Sequence, residues 1–301
     1  MVEVKNLVKI FGETLAVDHL NMEVKEGEIF GMLGLNGAGK STTMRCMLSL
    51  IKPDAGTISF FGKNIKTHRE FILRNIGCLI ERPDHYNYLS AQNNVKLTSR
   101  LYGHNPSTKE IEAIFELVGL KGKETHLVKT FSQGMKQRLG IANTLIHNPK
   151  LILLDEPTNG LDPQGIIDLR NLILRLKSEF KKTIILSSHI LSEIEMIADS
   201  LVIIHKGKNM IQGKMSELLS EKEIAVDIET DDSEKLITQM KEKDVVISIQ
   251  KIDTRNISVK INKTDLNLLH QLTTKSGEPI YHFNTRNKLE DYFLKLTQTH
   301  D

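Results

Sequence analysis

Gly34, Gly39, Lys40 and Ser41 follow the spacing G-x-x-x-x-G-K-[ST], which lets a short chain wrap a phosphate. Backbone N–H groups can point inward round an anion only where glycine frees φ and no Cβ intrudes, and Gly34, Gly37 and Gly39 are placed for this. Asn36, Ala38 and Thr42 complete the loop. Lys40 is expected to reach the β and γ phosphates of a nucleotide and Ser41 to ligate Mg²⁺, with the helix beginning near Lys40 turning the positive end of its dipole to the same anion. Asp155 and Glu156 close the run LILLDE. Four consecutive apolar residues read as a strand buried on both faces of a parallel sheet, whose carboxyl end faces the ligand crevice. Asp155 is thereby aimed at the Mg²⁺, and Glu156, one residue on, is free to polarise a water. His189 follows another short apolar run, Thr183 to Leu186, and is expected beside the phosphates.

These residues need elements to hold them. Glu28 to Leu33 reads as the strand before the loop, and Thr42 to Ser49 as the helix after it. Val2 to Ile10 and Leu20 to Val24 read as antiparallel strands turning at Phe11-Gly12-Glu13. Phe11 can be read as core or as a platform for adenine, and the nearby phosphate loop favours stacking. Thr57 to Phe61 and Asn75 to Ile80 read as further strands. Residues from about 82 to 145 are polar and helical, as an inserted subdomain would be. Within them FSQGMKQR opens a helix capped by Ser132, with Gly134 allowing close backbone approach. From Glu223 the order is strand, helix, strand, strand, helix, strand and a last helix (KLEDYFLKLT), a small ferredoxin-like α+β unit. Polar Ser216 to Lys222 reads as the linker.

Composition narrows the possibilities. The 301 residues carry 40 Lys+Arg against 38 Asp+Glu, a net charge of +2, which gives no general attraction for nucleic acid. No run approaches the length that spans a bilayer. The N-terminus alternates apolar and charged residues and is expected to carry no cleaved leader. Cys46 and Cys78 stand singly in apolar surroundings and are expected to be buried and reduced.

With the phosphate loop, FSQGMKQR, LILLDEP and the histidine in this order, residues 1 to 215 resemble the nucleotide-binding subunit of an ABC transporter. The resemblance implies an α/β P-loop NTPase core with an antiparallel β subdomain and an inserted helical subdomain, followed by an accessory domain over 223–301. It makes Gly34 to Ser41 the Walker A loop, Asp155 the Walker B aspartate, Glu156 the catalytic carboxylate, Asp162 the D-loop residue and His189 the switch histidine. Ser132 and Gly134 would close over ATP held by a second, head-to-tail copy. The remaining partner would be a separately encoded integral-membrane permease, which would hold the subunit on the cytoplasmic face of the membrane.

The chain departs from the family pattern in three places. Gln133 and Met135 replace a glycine and a glutamine of the usual signature. Phe11 stands where tyrosine is common. Glu81 stands where the loop normally carries glutamine, adding a carboxylate near the ion. Glu81 together with S-x-G-M-K-Q-R resembles the subgroup that exports, or confers immunity to, bacitracin and lantibiotic peptides. Two rivals fit less well. A DNA-repair or translation ABC ATPase would bring long coiled coils or a second cassette, and a small-molecule kinase would leave FSQGMKQR and the paired acids unexplained.

Overall fold

The computed structural model describes all residues except 82, 220–222, 242–244, 287–288, 291–292 and 294–301. The chain divides into two compact units, Met1–Gly213 and Lys214–Asp301.

The first unit is organised on a six-stranded sheet, with Lys208–Lys214, Ser200–His205, Ile29–Leu33, Thr183–Ser188, Leu151–Leu154 and Ile76–Leu79 side by side in that order. Ile29–Leu33, Leu151–Leu154 and Thr183–Ser188 are buried at every position, which explains their unbroken apolar runs. The pairings between Ile76–Leu79, Leu151–Leu154, Thr183–Ser188, Ile29–Leu33 and Ser200–His205 are all parallel. Their carboxyl ends therefore lie along one edge, where Leu33 leads to the phosphate loop, Leu154 to Asp155, Ser188 to His189 and Leu79 towards Glu81. Open parallel sheets gather their chemistry at this edge.

A second, four-stranded sheet contains Thr14–Val24, Val2–Phe11, Ala55–Phe60 and Lys63–Asn64 in that order, with antiparallel pairing. Val4, Leu20 and Phe60 from this sheet share one core with Phe30 and Met32 of the large sheet and with Met44 and Met47 of the helix Lys40–Met47. That helix is thus fixed by its buried face. Helices Ala91–Leu101, Thr108–Leu117 and Gln133–Leu145 fall in the stretch read as helical. Sequence reading did not assign the helices Arg69–Arg74 and Pro163–Ser178 or the strands Ser200–His205 and Lys208–Lys214.

The second unit runs Glu223–Thr230, Ser233–Lys241, Val246–Lys251, Asn256–Asn262, Leu266–Lys275 and Ile280–Arg286, alternating as strand, helix, strand, strand, helix, strand. Counted within the unit, the strands lie in the order 2-3-1-4 and every pairing is antiparallel, the layout of a split βαβ motif. Val226, Ile228, Leu236, Val259 and Leu269 form its core. The last helix read in the sequence falls mainly outside the described residues. The stretch taken as a linker is not wholly irregular, because Met215–Leu218 forms a helical turn around buried Met215, and 220–222 lie outside the described residues.

One cysteine differs from expectation. Cys46 is buried, and burial pushes its thiol up to about 11. Cys78 is exposed, although the chain packed around it still raises its pKa. Its strand lies at one edge of the sheet, where Ile76, Gly77 and Leu79 are buried and Cys78 is left uncovered, a difference that apolar sequence alone does not reveal.

Candidate functional site

The helix Lys40–Met47 starts differently from the four longer helices of its unit. Helices beginning at Ala91, Thr108, Gln133 and Pro163 are capped by the side chains of Ser90, Ser107, Ser132 and Asp162. Here the cap is Gly39, in the left-handed region at φ 104°, with no side-chain hydrogen bond. The first-turn N–H groups are left for an anion. Gly37 is also left-handed, at φ 80°, giving the alternating backbone that concentrates N–H groups in a nest. Gly34 serves packing behind the loop, since a Cβ there would come within 2.4 Å of the Ile204 carbonyl oxygen. Asn36 and Gly37 are exposed, Ala38 is buried, and Ser41 and Thr42 are half-buried.

Lys40 is almost fully buried and donates to the carbonyl oxygens of Gly34 at 2.6 Å and Leu35 at 3.2 Å. Its Nζ lies 3.1 Å from Glu156 Oε1, yet that buried oxygen has no hydrogen bond. Charge without hydrogen-bond geometry marks a carboxylate oxygen ready for another partner. Glu156 Oε2 accepts from His189 Nδ1 at 2.8 Å, so a continuous chain runs Lys40, Glu156, His189. Lys40 opens the helix that follows one strand, and Glu156 and His189 lie just past the ends of two others; 116 and 33 residues apart in sequence, the three are brought together by the parallel register.

Asp155 and Glu156 are positioned by a residue to which the sequence reading gave no role. The Ser187 hydroxyl donates to Asp155 Oδ1 at 2.5 Å and accepts from the Glu156 backbone N–H at 2.8 Å. Ser187 is fully buried, and its grip helps hold Glu156 at a left-handed φ of 46°, a strain of about 1–3 kcal/mol. Glu193 is a second unassigned residue. Its Oε2 accepts from Thr158 and from Ser188, both at 2.9 Å, joining the loop after Glu156 to the strand before His189. A serine at a strand end carried a weak signal, whereas Glu193 carried none.

Two expected residues stand apart from the network. Glu81, left-handed at φ 66°, pairs with Arg45 in the last turn of the loop helix, and its side chain is 62% exposed. The carboxylate expected near the ion is thus held by a guanidinium. Phe11 is 46% exposed at the hairpin, with Lys9 Nζ 5.1 Å from its ring centre. The same hairpin's Ala16 carbonyl backs Gly39, which places the hairpin beside the loop. Its exposed ring is open to stacking rather than packed in core.

The signature residues form a separate face. Ser132 accepts from Met135 N at 3.3 Å. Ser132 and Gly134 line an open cleft of about 540 Å³ with Leu161 and Asp162. Gln137 reaches back through its amide to the Pro157 carbonyl at 2.9 Å. Asp162 caps its helix through Gly165 N at 3.0 Å.

The uncapped helix, the nest and the Lys40–Glu156–His189 chain fit a nucleotide triphosphate, and known proteins agree. The ABC transporter family model matches residues 17–159. A bacitracin transport ATP-binding protein of Bacillus licheniformis is 39% identical over 98% of this chain and 97% of its own length. The chain is a member of the ABC transporter ATP-binding family. A lantibiotic transport ATP-binding protein of Streptococcus pyogenes is 44% identical over 70% of this chain and 90% of that one. Among solved structures, an ATP-binding subunit of an ABC transporter is 31% identical with a TM-score of 0.65, covering 73% of this chain and 92% of that one. A cassette described as dimeric, in a post-hydrolysis state with ADP and Pi, has a TM-score of 0.65 at 26% identity, covering 71% of this chain and 99% of that one. As an ABC ATPase, this chain binds and hydrolyses ATP. Among the described residues, no helix is long and apolar enough to cross a membrane.

Proposed function

We propose that this ATPase subunit closes on Mg-ATP as a head-to-tail pair. Its hydrolysis drives a separately encoded permease that exports, or gives immunity to, peptide antibiotics of the bacitracin or lantibiotic type. The cassette is residues 1–215, joined through 216–222 to an accessory domain at 223–301, and it works at the cytoplasmic face of the membrane through that permease. The observation that carries the chemistry is the Lys40–Glu156–His189 chain at the uncapped helix. The transport reading is supported by likeness to the bacitracin relative over 98% of the chain, tail included.

Lys40 neutralises the phosphates, leaving the carbonyls of Gly34 and Leu35 that hold its ammonium. Ser41 and Asp155 would hold Mg²⁺, which when bound supplies positive charge to the triphosphate. Glu156 takes a proton from the attacking water, and His189 Nδ1–H holds the other oxygen of its carboxylate. In-line attack on γ-phosphorus needs this placement and charge more than any covalent help from the protein. Phe11 stacks on the adenine. Ser132 and Gly134 serve the nucleotide of the opposite copy, with Asp162 at the same face. Glu81 is the loop sensor, exchanging Arg45 for the neighbourhood of the ion.

The test is peptide protection in cells that carry this subunit with its permease. Survival in bacitracin or a lantibiotic should rise only when both are present. Equal survival without the subunit would remove the transport reading.

A further inference from the structure

Residues 83–86 are strapped along one side of the signature helix Gln133–Leu145. Pro83 lies against Gly140, where a Cβ would come within 2.9 Å of Pro83 Cβ and 3.1 Å of Leu79 Cδ1. Only a residue without a side chain lets the strap approach so closely. One turn earlier, His85 Nε2 meets the Lys136 carbonyl oxygen at 2.9 Å. Positions 136 and 140 share a helix face because they are four apart. The strap is then tied off by buried Asn94, which accepts from Tyr86 N at 2.9 Å and donates to Tyr86 O at 3.2 Å.

His85 is only 8% exposed, and its Nδ1 is buried with no hydrogen-bond partner. A carbonyl oxygen only accepts, so Nε2 carries the hydrogen and donates it. Burial also lowers the imidazole's pKa, which keeps the ring neutral with this single donor. Leaving Nδ1 unpaired is unfavourable, and an apolar ring would fill the place without that cost. What histidine adds here is the bond to the helix. The turn it grips runs straight back to Ser132, whose carbonyl oxygen accepts from Lys136 N at 2.9 Å. The next residue, Gln137, is fastened to the carbonyl of Pro157, so the helix is tied to both loops that leave the catalytic centre.

We propose that His85 is a positioning residue that couples the Glu81 loop to the signature helix, passing a shift of that loop to Ser132 through the Lys136 carbonyl. The inference rests on the sandwich reading above, in which Ser132 acts on the nucleotide of the opposite copy. A nucleotide sensed by one subunit's Glu81 loop then adjusts how that subunit grips its neighbour's ATP.

His85→Phe keeps a buried ring and removes the donor, whereas His85→Gln restores an amide donor at similar reach. Each is compared with wild type for melting temperature, calorimetric ATP binding by the isolated subunit and steady-state hydrolysis. ATP-driven dimerisation is followed by sedimentation in the Glu156→Gln background, where His85 is first left intact. His85→Phe should melt and bind ATP like wild type, while dimer affinity and hydrolysis fall about two- to tenfold, the range of one net hydrogen bond. His85→Gln should recover most of that loss. Wild-type dimerisation and turnover by His85→Phe would overturn the coupling, as would a folded His85→Gln as impaired as His85→Phe. A Glu156→Gln subunit that stays monomeric with His85 intact would instead overturn the sandwich on which the coupling rests.

Discussion

Replacing Ser187 with alanine removes one hydroxyl on which both acidic residues of the site depend. The donor to Asp155 Oδ1 at 2.5 Å is lost, and the Glu156 N–H loses its acceptor at 2.8 Å. A hydrogen bond to a charged group contributes about 1.5–3 kcal/mol, and about 1.4 kcal/mol is a factor of ten in rate. If that orientation is needed in the transition state, hydrolysis should fall about 10- to 100-fold. Stability should also fall, because the site is fully buried and water does not readily replace the hydroxyl. A cost of about 2–3 kcal/mol corresponds to a melting temperature about 4–12 °C lower for a unit of this size. Phosphate release at saturating Mg-ATP, calorimetric ATP binding and a melting curve separate the effects. Binding should stay within a few-fold of wild type, because Lys40 and the loop amides are untouched. Hydrolysis within twofold of wild type at an unchanged melting temperature would refute the role given to Ser187.

Lys40→Ala should abolish tight ATP binding by calorimetry while the fold survives, since the ammonium it removes is the only cation that the loop supplies. Gly34→Ala should lower thermal stability by about 1–3 kcal/mol, because the new methyl would meet the Ile204 carbonyl at 2.4 Å, and an unchanged melting curve would deny that close packing. Glu81→Ala should impair peptide protection in cells more than ATP binding by the isolated subunit. Glu81→Gln should be milder, because it restores an oxygen ligand while giving up the charge pairing with Arg45. Full protection by Glu81→Ala would leave Glu81 as an ordinary surface carboxylate.

What the sequence made legible was chemistry confined to one stretch of chain. A phosphate nest needs its glycines, lysine and serine within eight residues, so Gly34 to Ser41 could be read before any fold was known. LILLDE likewise combines a buried strand and its terminal acids in six residues. Contacts made by folding were not legible. Ser187 acts on residues 31 and 32 positions away, Arg45 on Glu81, and His85 on a carbonyl 51 positions away. No local pattern announces such pairs, because the parallel register and the helical insertion create them. Cys78 differs from expectation for a related reason, since an apolar run records that a strand is hydrophobic but not which of its residues the fold leaves uncovered. Glu81 could be singled out as a departure from the family pattern, whereas its guanidinium partner could not.

The most direct test of the catalytic centre uses Glu156→Gln, which keeps the shape beside Lys40 and His189 and removes the base. The purified variant is mixed with Mg-ATP and passed over a sizing column with light-scattering detection, and the nucleotide in each peak is counted. The expected result is a particle of two subunits holding two unhydrolysed ATP molecules, with wild type returning to the monomer as it turns over. A Glu156→Gln variant that stays monomeric with bound ATP, or that hydrolyses ATP at the wild-type rate, would contradict the assignment of Glu156 and the paired site built around it.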